Sequence, residues 1–217
     1  TAEASGIDLA LLKPWLPPEM LIAGRLSGRA KGSMSPGQRF KLDGNALLTG
    51  GTLQQQGTEG ALKFSFTAAK GIWSWHGDAL EGSIALTMAE HGQVRATFRL
   101  PVAARLPVAV NPKGALRVSI RGQLQEKGIL TALFPGLIQE SYGTLDVDLK
   151  TNGTWQTPHN EGTVRISKTG AYLPTAGIHL KDVQLAAYLT KESIHINAFR
   201  ATSGPGHIEG TALLTLD

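Results

Sequence analysis

Apolar and polar residues alternate one by one along most of this 217-residue chain. In residues 143–155, GTLDVDLKTNGTW, Leu145, Val147 and Leu149 are separated by Asp146 and Asp148. A period of two predicts a strand with one apolar and one wet face. The same parity places Leu42, Gly44, Ala46 and Leu48 together, then Leu62, Phe64 and Phe66, then Ile84, Leu86 and Met88. It continues through Val94, Ala96, Phe98 and Leu100, and through Leu116, Val118 and Ile120. GTVRISK, IHLKDVQLAAYLT, SIHINAF and HIEGTALLTL extend it to the end of the chain. Roughly fifteen strand-like runs are predicted, LPVAV at 106–110 among them.

Turn chemistry separates the runs. Ser35-Pro36-Gly37, Asn111-Pro112-Lys113-Gly114, Asn152-Gly153 and Ser203-Gly204-Pro205-Gly206 each offer a positive-φ or proline-fixed corner. Such corners suit sequential antiparallel hairpins, and no strand–helix–strand rhythm calls for a parallel sheet. One stretch, GILTALFPGLIQES at 128–141, has helical spacing that Pro135 should break. Lys13 to Glu19 echoes it weakly. Leu11-Leu12-Lys13-Pro14 and Leu133-Phe134-Pro135 each lead a similar glycine series, and LEGSIALT at 80–87 matches IEGTALLT at 208–215. Two β-rich units are therefore expected, 1–125 and 126–217, continuous with each other.

Composition fits this picture. The chain is 41% hydrophobic but only 6% aromatic, with 26 glycines and 11 prolines, so its apolar surface is aliphatic and its turns are many. The net charge is +4 and the basic residues are scattered, unlike a nucleic-acid binder. With no cysteine, disulfide staples and thiolate metal sites are excluded. The early apolar stretch IDLALLKPWLPPEMLIAG carries Lys13, Pro14, Pro17 and Pro18, which disqualifies it as a membrane span. No initiator methionine or signal-like segment opens the chain, so a piece of a longer protein is expected.

Catalytic and metal chemistry finds little support. None of the six histidines (His76, His91, His159, His179, His195 and His207) pairs at ligand spacing. A cross-strand pair of His195 and His207 is the one remote metal option, and no metal or cofactor is expected. Asp146 and Asp148 share a strand face, which reads as a solvated face before it reads as an acid–base pair. GRLSGRAKG lacks phosphate-loop spacing, so its glycines point to bulges or close strand packing. Arg95 and Arg99 share one face, as do Arg117 and Arg121, giving an outer basic stripe or simply a solvated face. Trp73 and Trp75 are placed to stack a sugar or to shield a sheet end. No enzyme activity is expected.

Alternation alone leaves a sandwich, a closed barrel or an open trough. The strand count and the repeat favour the trough. An apolar trough left empty would expose far more than the few hundred Å² that soluble proteins tolerate, so it would want a ligand with long apolar chains, and lipid acyl tails fit. The ordered series Leu133-Phe134-Pro135, Gly143, Gly153-Thr154-Trp155, Pro158, Gly162, Gly170-Ala171-Tyr172-Leu173-Pro174 and Gly177-Ile178 resembles the C-terminal region of the TamB family, within the wider AsmA-like group. The first half fits more loosely.

That resemblance implies an all-β fold, an elongated antiparallel sheet curled into an open apolar groove (a β-taco or half-tube), with one or two short helical segments. It implies a periplasmic bridge between the inner and outer membranes of Gram-negative bacteria that carries phospholipids, an anchor in the inner membrane, and an outer-membrane barrel partner in outer-membrane protein assembly. The family supplies no catalytic residues. From parity alone, the expected groove lining is Leu116, Val118, Ile120, Leu145, Val147, Leu149, Val164, Ile166, Leu180, Ile194, Ile196 and Ile208. Two other readings stand beside the lipid conduit: a chaperone-like sheet edge that pairs with client strands, and a carbohydrate-binding β-sandwich using Trp73 and Trp75.

Overall fold

In the computed structural model, described for residues 1–15, 20–35, 39–57, 60–134 and 136–215, one antiparallel sheet takes almost the whole chain. Its strands are β1 (Ala2–Asp8), β2 (Met20–Ser35), β3 (Arg39–Gly57), β4 (Gly60–His76), β5 (Ala79–Met88) and β6 (Gly92–Leu100). They continue as β7 (Ala115–Lys127), β8 (Gln139–Thr154), β9 (Pro158–Leu173), β10 (Ile178–Leu189), β11 (Ser193–Ser203) and β12 (Gly206–Thr215). A 3₁₀ turn spans Leu9–Trp15, and a short helix, α1, spans Ile129–Leu133. Spatial order equals chain order, with each strand hydrogen-bonded to its predecessor and β1 and β12 at opposite ends. The sheet is curled and unclosed.

Twelve strands stand where roughly fifteen runs were expected, and one expected corner and one expected strand differ. Asn152-Gly153 is not a turn: it lies inside β8, paired with His159 and Pro158 of β9, and the chain reverses at 155–157 instead. LPVAV is not a strand. Pro107 removes a main-chain donor there, and the segment forms part of the 101–114 connection, tied by an isolated bridge between Val102 and Val110. Asn111–Gly114 does turn, with Gly114 N–H donating to the Asn111 carbonyl at 3.0 Å. The Ser35-Pro36-Gly37 corner and the break at Pro135 involve residues outside those described. The expected unit boundary at 125/126 falls inside β7, and the ladder runs on through it.

Register makes one face apolar from end to end. One cross-strand row reads Ile7, Leu26, Leu48, Ala69, Leu86, Val94, Gly122, Val147, Val164, Ala187, Ile196 and Ala212. The next reads Ala4, Gly28, Ala46, Gly71, Ile84, Ala96, Ile120, Leu149, Gly162, Leu189, Ile194 and Leu214. Neither row contains a polar side chain. At a strand spacing of about 4.8 Å, the eleven steps from β1 to β12 cover about 53 Å.

Large side chains on this face lie over glycines of the neighbouring strand. An added Cβ would collide with the Trp73 ring at Gly44, the Phe66 ring at Gly51 and the Phe98 ring at Gly82. The glycines thus let aromatic rings lie across the sheet, which keeps the apolar layer even in depth.

Bulges interrupt the strands in two groups. In β1, β3 and β4 they fall at Gly6, Gly50 and Thr67; in β8 to β11 they fall at Glu140, Lys168, Asp182 and Asn197. The pairings of β5 with β6, β6 with β7, and β7 with β8 carry none. A bulge bends its strand and increases its twist, so the two groups curl the sheet on either side of a regular centre. Glu140, Lys168 and Asp182 hold positive φ near 50° there, a conformation costly for residues with a side chain.

Little of the apolar face is sealed. The accessible surface is 13943 Å², whereas a compact chain of 23.0 kDa would show about 9600 Å². Ile84, in the middle of the sheet, remains 46% exposed. A second packed layer would have covered it, so a β-sandwich is ruled out for this chain.

Two predictions follow from this architecture. Small-angle scattering should give a radius of gyration above about 20 Å, against about 17 Å for a compact domain of this length. Gly44→Val should lower unfolding stability by about 1–3 kcal/mol because Trp73 must leave its place. Gly210→Ala, with open space around the added methyl, should stay within about 0.5 kcal/mol of the parent in the same denaturant titration.

Candidate functional site

The apolar face is framed at both ends of its strands. At one end the 101–105 segment runs back from β6 to β3. Phe40 N–H donates to the Ala104 carbonyl at 2.9 Å, Ala104 N–H donates to the Gly77 carbonyl at 2.8 Å, and Arg39 bridges Arg105. The Trp75 indole N–H donates to the Val102 carbonyl at 2.8 Å, and its ring meets Phe40 edge-on with centroids 4.8 Å apart. Phe40 and Trp75 both project from the apolar side, so the segment packs on that side, and its Ala104 is buried. Trp75 is therefore occupied as a rim residue, and Trp73 lies over Gly44.

At the other end α1 packs against β7 and β8 and also reaches β4, three strands back from β7. Glu126 anchors it. This residue occupies an apolar-face position of β7 and is only 1% exposed. Its Oε1 accepts the Leu130 N–H at 2.6 Å and the Ser141 hydroxyl at 3.1 Å. Ser141 Oγ also accepts the Thr131 N–H at 3.2 Å and lies 2.9 Å from the Thr131 hydroxyl. Gly128, at φ 86°, starts the helix with no side chain to cap it, so Glu126 serves that purpose from the strand below. The other oxygen, Oε2, is buried without a hydrogen-bond partner among the described residues.

Between these rims lie the residues expected from parity. Val147, Val164 and Ile196 stand in the first row above; Ile120, Leu149 and Ile194 stand in the second. Leu145 and Ile166 share a third row with Leu124, Leu185 and Phe199. Val118 faces Phe98, and Leu116 is buried near the 101–114 connection. Leu180 pairs with Ala171, and Ile208, 53% exposed on β12, pairs with Ala201. The register puts all twelve on one face. It adds residues that the expected lining omitted: Leu26, Leu48, Leu86, Val94 and Phe98 from the first half, with Leu185, Leu189 and Phe199 from the second. The same alternation marks them in the sequence, most of them on strands before β7.

The opposite face is polar. A hollow of about 960 Å³ on that face opens over β6–β9 and is lined by Gln93, Arg95, Thr97, Ser119, Arg121, Gln123, Asp146, Asp148, Thr163 and Arg165, with Gly92, Gly122 and Val147. Asp148 Oδ2 accepts Arg121 Nε–H at 3.1 Å, so this carboxylate serves a cross-strand ion pair and not an acid–base dyad. His195 Nε2 lies 2.8 Å from Ser193 Oγ, while His207 pairs with Thr202, seven residues along β11 from His195. The two histidines are too far apart to share an ion. Among the described residues no group of three or more His, Asp or Glu side chains is placed to hold a metal, and no helix is long and apolar enough to cross a membrane.

A long sheet of sequential strands, curled and unclosed, with one face apolar throughout, defines a class of extended open-sheet proteins. A model of that class, described as "TamB, N-terminal domain", matches residues 1–166, and the chain belongs to the TamB family. The motif series at 133–178 points to the family's C-terminal region, whereas the matching model is that of its N-terminal domain and covers the first half of the chain as well. The TamB family is a transport and assembly family of the bacterial envelope. No curated protein and no solved structure matches the chain.

The Glu126 anchor is open to a direct test. Glu126→Ala should cost about 1–3 kcal/mol, because the Leu130 N–H and the Ser141 hydroxyl lose their acceptor. Amide exchange at 129–133 should accelerate with it. Glu126→Gln, which keeps one acceptor oxygen, should lose less by both measures.

Proposed function

We propose that the apolar face is a lipid path. Phospholipid acyl chains would lie along the cross-strand rows, with head groups toward water at the two rims, and lipid would move along the sheet from strand to strand between the inner and outer membranes. The observation that carries this reading is the pair of twelve-strand rows without a polar side chain, on a sheet whose surface greatly exceeds that of a compact chain. Such a face in water needs an apolar occupant, and its even depth suits chains that slide without a fixed stopping place. No step requires bond chemistry, so the activity is transport and not catalysis. Family membership supports the periplasm as the place of action, an inner-membrane anchor elsewhere in the whole protein, and an outer-membrane barrel partner in assembly.

A second reading rests on β12. All ten of its residues are exposed, Ile208, Leu213 and Leu214 included, and its outer edge has no partner strand among the described residues. An extended client segment of an outer-membrane protein would add there through main-chain hydrogen bonds.

Photo-crosslinking in cells separates the two. A photoreactive residue is placed at Val147, Asp148 or Thr211 of the whole protein. Phospholipid adducts at 147 and not at 148 are expected. Protein adducts confined to 211, with no lipid at 147 in a functional protein, would replace the conduit with the strand-capture reading.

A further inference from the structure

The polar face holds a charge arrangement that the lipid path does not use. Arg95 of β6 stands directly opposite Arg121 of β7, and Arg99 stands directly opposite Arg117. Like charges facing each other across a ladder destabilise it, and the same strand pair contains this twice. Between the two arginine pairs, Thr97 faces Ser119. The six residues form a grid: arginine pair, hydroxyl pair, arginine pair, with successive rows about 6.6 Å apart along the strands.

Carboxylates neutralise half of the grid. Glu81 of β5 pairs with Arg99, and Asp148 of β8 pairs with Arg121. Arg95 and Arg117, on the diagonal, have no ion-pair or hydrogen-bond partner among the described residues. The hollow over β6–β9 includes Arg95, Thr97, Ser119 and Arg121, with Gln93 and Gln123 at one end. Asp146 and Asp148 lie on its far side, faced by Arg165 and Arg121 in the register. Asp146 and Arg165 face each other there without an ion pair, and the unmatched charge nearest the two hydroxyls is the guanidinium pair on either side of them.

We propose that this grid is an oxyanion site of phosphate type, centred over Thr97 and Ser119. The hydroxyls donate to the oxyanion from below. Arg95 and Arg117 close on it from opposite sides, while Arg99 and Arg121, braced by their carboxylates, add positive potential. Guanidinium forks match the spacing of phosphate oxygens, and a bound anion removes the repulsion that each facing pair otherwise carries. The site lies on the face opposite the acyl path and does not depend on that path being correct.

The test uses the whole 217-residue chain with two probes. Inorganic phosphate is titrated calorimetrically, and phosphatidylcholine vesicles with and without phosphatidylglycerol are used in sedimentation. Binding that weakens with salt is expected for phosphate, for phosphatidylglycerol vesicles, or for both; phosphate alone assigns a free ion, and vesicles alone assign a head group. Arg95→Gln with Arg117→Gln should weaken it about tenfold or more. Thr97→Val with Ser119→Val should weaken it less. Lys31→Gln with Lys181→Gln, the same loss of charge elsewhere, should leave it unchanged. Binding to neither probe, or an equal loss in the lysine control, overturns the site. Retention on pure phosphatidylcholine vesicles reports on the apolar face and is scored separately.

Discussion

Every property of this molecule rests on keeping strand parity in step. Side chains alternate faces with a period of two, so a slip of one residue between neighbouring strands would turn an apolar row polar. Eleven successive pairings must each be in phase for a row to run from Ile7 to Ala212. Bulges threaten this, because each inserts an extra residue. Here Glu140, Lys168, Asp182 and Asn197 fall on four consecutive strands, and the pairings β8–β9, β9–β10 and β10–β11 each hold two register shifts a few residues apart. The phase lost at one shift is regained at the next, so beyond both the ladder keeps its faces.

Much of this was legible in the residues. Leu145, Val147 and Leu149 announce a one-sided strand, and the sequential order follows from short corners without crossover helices. Strand length was harder to read. Gly51 and Gly153 look like punctuation in a sequence, yet both sit inside strands. The first admits the neighbouring Phe66 ring, and the second lies one residue before β8 ends. A glycine that receives Phe66 from the next strand cannot be told from a turn glycine without knowing which strand lies alongside.

The bulges were hidden for a related reason. Glu140, Lys168 and Asp182 adopt a backbone conformation that sequence rules assign mainly to glycine and asparagine. Tertiary pairing holds them there, so no local signal marks them. Glu126 was equally opaque. It follows the apolar parity of β7 and would count as an error in the pattern, until α1 folds over it and presents the Leu130 N–H. The arginine grid was half visible: the shared faces of Arg95 with Arg99 and of Arg117 with Arg121 could be read, but their direct opposition required the register.

Sequential strand order has a consequence for how such proteins change size. Here 217 residues make 12 strands, about eighteen residues for each step of ~4.8 Å. Adding or removing a whole hairpin alters reach by about 10 Å and leaves every other pairing untouched. Losing one residue inside a strand shifts the faces of everything beyond it. Evolution can therefore adjust this architecture in length almost freely, in units of two strands, while its internal spelling stays under tight constraint. The molecule behaves as a ruler with fixed graduations, lengthened or shortened one hairpin at a time.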